Sequence, residues 1–283
     1  MKRLLDLSTV PETMSFRHVR LVEDMEVAGA YICLSHCWGS PERHPIETTT
    51  ENLSRHKFYI DFSELPRTFQ EAAEVARHFA VRYLWIDSLC IVQDDEEDWR
   101  TQSAEMSDIY RGALFTIAAT ASPDSGYGLF HHRNLEHQGV DLSVLTGQHR
   151  LEGTFIRTPL HHATDANHRP LTSRGWVFQE RVLSPRVLHF DMQELLWECT
   201  HETACECKDG AEHSSNWIRL RRSFQPANLQ AASKEEIFEL WHDAVILYSP
   251  LNLSREDDIL PAISGLAKRL QSALNCTYLA GLW

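Results

Sequence analysis

The sequence predicts an α/β protein: a central parallel sheet with flanking helices, some insertions, and a helical C-terminal extension. Three observations carry this. Short apolar runs at residues 31–35, 83–87 and 114–118 alternate with segments of helical periodicity, the pattern of strand–helix–strand units. The runs are continuous rather than alternating, as in strands buried on both faces of a parallel sheet. Residues 201–283 carry amphipathic helical patterns and no run of this kind.

Residues 1–29 read as a polar lead-in, with one strand near residues 16–22. Tyr31-Ile32-Cys33-Leu34-Ser35 is a strand that Trp38-Gly39-Ser40-Pro41 turns into a loop. Residues 40–63 are polar and irregular. Pro66 suits a first helical position, and Phe69, Ala72, Ala73, Ala76 and Phe79 recur at helical spacing, giving a helix over 66–80. Tyr83-Leu84-Trp85-Ile86-Asp87 is the next strand. Acidic residues 94–98 open a second helix, where negative charge complements the dipole; Trp99, Met106, Ile109 and Tyr110 form its apolar stripe. Residues 114–118 are a third strand, ended by the turn cluster Ser122-Pro123-Asp124-Ser125-Gly126. Residues 131–171 are weakly periodic, with a hairpin around 140–144 and 154–157. Residues 174–183 read as a short helix, 187–190 and 195–198 as strands, 200–230 as a long loop region, and 234–248 and 257–270 as helices. The chain divides into a lead-in (1–29), an α/β domain (30–200) and the extension (201–283).

With 283 residues, 43% of them hydrophobic, the chain is able to bury a core of domain size. Acidic residues outnumber basic ones 40 to 27, a formal net charge of -13. Nucleic-acid binding needs a cationic footprint, so no nucleic-acid partner is expected. The basic stretch Arg219, Arg221 and Arg222 reads as a solvated face. No apolar run approaches the ~20 residues of a membrane span, and the opening MKRLLDLSTVPETM has no apolar core of a signal peptide. Seven cysteines, an odd number without a secretory signal, imply reduced thiols and a cytoplasmic location. Cys199, His201, Cys205 and Cys207 are ligand types in close sequence, but no second knuckle follows, so no metal is expected.

The sequence has no G-x-G-x-x-G, no Walker loop and no G-x-S-x-G elbow. A Cys–His pair can be drawn from Cys37 or Cys90 with His36, but Leu89-Cys90-Ile91 reads as a buried, inert thiol. Ligands of parallel sheets gather at the carboxyl ends of strands, which singles out the loops 35–40, 87–94 and 122–128. Asp87, at the end of an apolar strand, either caps the following loop or faces a ligand. Trp176 and Glu180 stand at i and i+4 on one helical face. Glu180 is either a surface carboxylate paired with Arg174 or Arg181, or a carboxylate against an aromatic wall.

Tyr31-Ile32-Cys33-Leu34-Ser35-His36-Cys37-Trp38-Gly39 resembles the opening motif of the heterokaryon incompatibility (HET) domain of filamentous fungi. Further blocks follow in the family's order: Leu65-Pro66-x-Thr68-Phe69, then the run from Arg82 to Asp94 through Trp85-Ile86-Asp87-Ser88, then Arg174-Gly175-Trp176-Val177-Phe178-Gln179-Glu180-Arg181. The motifs cover about residues 30–200, and the tail, ending in Ala280-Gly281-Leu282-Trp283, is similar to what often follows the domain, as in a piece of a longer protein. His36 stands where the family more often has Tyr. The resemblance implies a heterokaryon-incompatibility and cell-death effector. HET domains are in turn similar to TIR domains, which have a flavodoxin-like fold; many TIR domains cleave NAD with a Glu in a Trp-x-x-x-Glu context. That analogy implies Glu180 as catalytic carboxylate, with Ser35, His36, Trp38, Gly39, Asp87 and Trp176 around the substrate, NAD as substrate rather than resident cofactor, and self-association or an incompatibility partner protein. A non-enzymatic self-association module is the alternative.

Overall fold

The computed structural model describes residues 1–8, 18–23, 29–132, 140–147, 154–156, 169–206 and 215–283. In chain order its strands are β1 (Arg3–Asp6), β2 (His18–Glu23), β3 (Tyr31–Ser35), β4 (Ile60–Asp61), β5 (Tyr83–Trp85), β6 (Thr116–Ala118), β7 (Val140–Asp141), β8 (Phe155–Ile156), β9 (Arg186–Phe190), β10 (Leu195–Cys199) and β11 (Thr203–Cys205). Its helices are α1 (Leu53–Phe58), α2 (Arg67–His78), α3 (Asp87–Cys90), α4 (Glu96–Gly112), α5 (Leu142–Thr146), α6 (Gly175–Leu183), α7 (Ser215–Ser223), α8 (Pro226–Ala231), α9 (Lys234–Tyr248) and α10 (Pro261–Leu274).

The main sheet has the order β11-β10-β9-β6-β3-β5-β1-β2-β4. Its centre, β9-β6-β3-β5, is parallel, and antiparallel strands extend both edges. The crossovers β3-α2-β5 and β5-α4-β6 run in opposite directions along the sheet. Right-handed connections therefore put α2 on one face and α4, with α6, on the other. The apolar side chains of the central strands and of α2 and α4 form one core, with Ile32, Leu34, Leu84, Trp85, Phe69 and Tyr110 inside it.

Helix α6 belongs to two environments. Val177 packs toward the sheet with Cys37, Ala118 and Val187. Phe178, Val182 and Leu183 face a second core made with Trp241, Tyr248, Leu266 and Leu270 of α9 and α10. The C-terminal helices thus cover the face of α6 that the sheet leaves open. Gly265 permits this approach: an added Cβ would overlap Ser107 Cβ of α4 and lie 2.6 Å from Gln179 Oε1 of α6.

The structure departs from the sequence expectation at four places. Residues 3–6 lie in the sheet between β5 and β2 instead of in a lead-in. Their charges disguised them: Arg3 is buried against Asp98 through two hydrogen bonds of 2.8 Å and also bonds Glu23, while Asp6 is buried against Arg82. Within 40–63, a segment read as irregular, α1 and β4 form. Within 200–230, read as loop, β11, α7 and α8 form. The last helix starts at Pro261 and not at 257, because proline fits the first turn and not a helix interior. The hairpin in 131–171 is β7 paired with β8. The strand expected at 16–22 is β2; residues 16 and 17 lie outside the described residues.

Candidate active site

Strands β3 and β5 end side by side, and the loops after them open into a cavity of about 970 Å³, at the strand ends where parallel sheets bind ligands. Its walls are the loop after β3 (His36, Trp38, Gly39), the segment from Asp87 to Asp94 after β5, the first turns of α6 (Arg174, Trp176, Glu180) and the strap 252–258 before α10. A second groove of about 530 Å³, between α7, α8 and α9, contains none of these residues.

Asp87 braces the β3 loop. Its Oδ1 accepts from His36 Nε2 at 2.9 Å and from the Ser88 amide at 2.7 Å; its Oδ2 accepts from Trp38 Nε1 at 2.8 Å. Burial opposes its ionisation, but the charge and hydrogen bond of His36, with the Trp38 and Ser88 bonds, outweigh this and hold the carboxyl below its ordinary value. Asp87 is therefore a cap and a brace that also lines the cavity. Gly39 completes the turn at φ +83°, and an added Cβ there would lie 2.7 Å from Asp124 Cβ. The 122–128 loop is packed against this turn, with Asp124 taking Arg43 at 3.0 Å, and lines none of the cavity.

Glu180 lies on the same wall as Trp176 and is only 5% exposed. Burial pushes its carboxyl up to about 7; the Asp87 charge pushes the same way, while the Ser35 and Tyr110 hydroxyls and the Arg174 charge pull back. Ser35 is itself buried behind the cavity wall. The surface-pair reading of Glu180 fails on geometry: Arg181 is turned to Glu198, and Arg174 makes no ion pair with it within 4 Å. Asp87 and Glu180 thus share one cleft with their titrations driven apart, the arrangement that separates a permanently charged carboxylate from one that titrates near neutrality.

The strap is pinned to α6. Gly175 N donates to Asn252 O at 2.7 Å, Asn252 N donates to Ser173 O at 2.7 Å, and Trp176 Nε1 donates to Asp258 Oδ2 at 3.0 Å. Sequence reasoning missed Arg174 as a wall residue, Tyr110 behind Glu180, and the strap. Arg174 and Tyr110 stand in segments already singled out, but nothing in residues 252–258 signals their place.

The family model described as Heterokaryon incompatibility protein (HET) matches residues 31–180. That is more than half of the chain, and it runs from the first residue of β3 to Glu180. The chain belongs to the HET family. No curated protein and no solved structure gives a significant match. Membership assigns this HET chain a role in heterokaryon incompatibility.

Neither thiol that could pair with His36 is activated. Burial pushes Cys90 up to about 12, and burial also raises Cys37, against the pull of Arg174. The expectation of reduced thiols fails at Cys205, which is disulfide-bonded; Cys33, Cys37, Cys90, Cys199 and Cys276 are free. Cys207 lies outside the described residues. Among the described residues no group of three or more His, Cys, Asp or Glu is arranged to hold a metal, and no helix is long and apolar enough to cross a membrane.

Proposed function

We propose that this HET chain is a cell-death effector that cleaves NAD at the nicotinamide–ribose bond when assembled. The observation that supports it is Glu180: a buried carboxylate on the wall of a cavity that also holds Trp38 and Trp176. The reaction type comes from the Trp-x-x-x-Glu resemblance to TIR domains.

The chemistry suits one carboxylate. The C1′–N bond breaks, its electron pair leaves with nicotinamide, and the ring nitrogen loses its positive charge. Positive charge then develops on the ribose, as in glycoside hydrolysis. Ionised Glu180, buried in the cavity wall, stabilises it. Water adds at C1′ and a proton is released, giving nicotinamide and ADP-ribose. No general acid is needed, since the leaving group departs neutral. Trp38, edge-on to His44 with ring centroids 5.6 Å apart, and Trp176 offer faces on which a base or nicotinamide can stack.

The alternative, a self-association module without catalysis, draws on one feature: Val144, Phe155 and Ile156 of the β7–β8 hairpin region are exposed, an apolar surface of the kind that marks interaction sites. The deciding experiment is to incubate the chain, fused to an oligomerising partner, with NAD and to measure nicotinamide by chromatography. Release above the no-protein control supports cleavage. Its absence in the forced oligomer leaves the module reading.

A further inference from the structure

The chemistry above leaves Arg174 without a task. It directly precedes α6, and its backbone is held by the parallel bridge to Asn252. Its half-buried side chain lines the cavity beside Glu180. Among the described residues it forms no ion pair with a carboxylate, in contrast to Arg181 in the same motif, which grips Glu198 with two nitrogens. Yet acids dominate the cavity wall: besides Glu180, Glu47, Asp87, Asp94, Glu96, Asp257 and Asp258 line it. Several of these are already engaged, Asp87 with His36 and Trp38, Asp94 with Thr50, Asp258 with Trp176. Among the described residues the permanent cations of the wall are Arg174 and Arg255, and Arg255 is exposed. The Arg174 side chain hydrogen-bonds the Cys37 thiol, but a guanidinium with no carboxylate partner, held among acids in this cleft, is available to an anionic ligand.

We propose that Arg174 is the anion-binding residue of the cleft and takes the diphosphate of the dinucleotide. The substrate identity rests on the NAD reading of the cleft; the anion-binding role of Arg174 rests on its own geometry. A guanidinium presents parallel N–H donors that match phosphate oxygens in pairs. With Arg174 on the diphosphate, Glu180, six residues further on in α6, is left for the ribose, so the start of one helix serves both ends of the scissile half of the substrate.

The test separates the two halves of NAD. The forced-oligomer form of the full chain is titrated calorimetrically with ADP-ribose, which carries the diphosphate, and with nicotinamide riboside, which lacks it. Arg174→Gln is expected to weaken ADP-ribose at least ~10-fold and to leave nicotinamide riboside unchanged, with Arg174→Lys in between. Unchanged ADP-ribose affinity, an equal loss for both ligands, or no ADP-ribose binding by the wild-type chain overturns the proposal. If Arg174→Gln does not fold, Arg174→Lys decides alone: selective loss of ADP-ribose supports the role and no selective loss overturns it. Binding of ADP-ribose through Arg174 without nicotinamide release would leave this role standing and remove the NAD-cleaving reading; nicotinamide release without Arg174-dependent binding would do the reverse.

Discussion

Glu180 and Asp87 show how one cleft sets two carboxyls apart. Burial lifts Glu180 to about 7 from 4.5, so the native state holds its proton more tightly than the unfolded chain does. The stabilisation this gives is complete below pH 4.5 and is lost as pH rises through 7; above that the chain carries a buried charge at a cost of about 3 kcal/mol. Glu180→Gln should therefore be more stable than wild type by about that amount at pH 8, with the gap shrinking toward pH 5 in denaturant melts. A variant equally stable at both pH values would show that Glu180 titrates normally. Cleavage needs the ionised form, so the wild-type rate should rise with pH through about 7; a rate falling over that range would make Glu180 an acid instead. Asp87→Asn should act differently. It removes the charge that faces His36 and leaves an amide to satisfy both His36 and Trp38, costing about 1–3 kcal/mol and raising KM for NAD more than it lowers kcat. A pure kcat loss would move the catalytic role to Asp87. Glu180 and Trp176 were legible in the sequence because i and i+4 share a helix face. Arg174 was not: in the same motif as a glutamate six residues on, an arginine reads as its salt-bridge partner, and only the fold shows that the pair is not made.

At the scale of elements, α6 is the part on which the site depends, and its far side is secured by charge as well as by apolar packing. Glu198 of β10 is gripped by Arg181 of α6, bonds Arg221 of α7 at 2.9 Å and lies 3.2 Å from His189 of β9. Burial opposes this carboxylate's charge, but Arg181 and His189 overcome it and hold it well below its ordinary value. Glu198→Gln leaves two guanidiniums buried without a counter-charge and should cost about 3–5 kcal/mol, measured by thermal or denaturant unfolding; a neutral result would mean that water already screens the cluster. Gly265→Ala should cost about 1–3 kcal/mol through overlap with Ser107. The central parallel strands were legible because burial on both faces leaves an uninterrupted apolar run. β1 was not, since Arg3 and Asp6 are charged and their partners, Asp98 and Arg82, lie more than seventy residues away. α1 and α8 have six residues each, too short for periodicity to stand out from a polar loop.

For the whole molecule, the sheet sets the strand ends in place and the C-terminal helices finish the cleft through the strap. The motifs read from the sequence stop near residue 200, so a site wall at 252–258 was invisible to them. Assembly is the other property of the whole chain. If clustering activates it, fusion to an oligomerising partner should raise toxicity in cells over the monomeric form, and equal toxicity of the two would argue that assembly plays no part. The most direct measurement is nicotinamide release from NAD by the forced oligomer at pH 8, wild type against Glu180→Gln, with both proteins shown folded by their melting curves. Wild type should release nicotinamide and Glu180→Gln should be slower by ~10²-fold or more. Equal release by the two, or none by wild type, would contradict Glu180 as the carboxylate that carries the reaction.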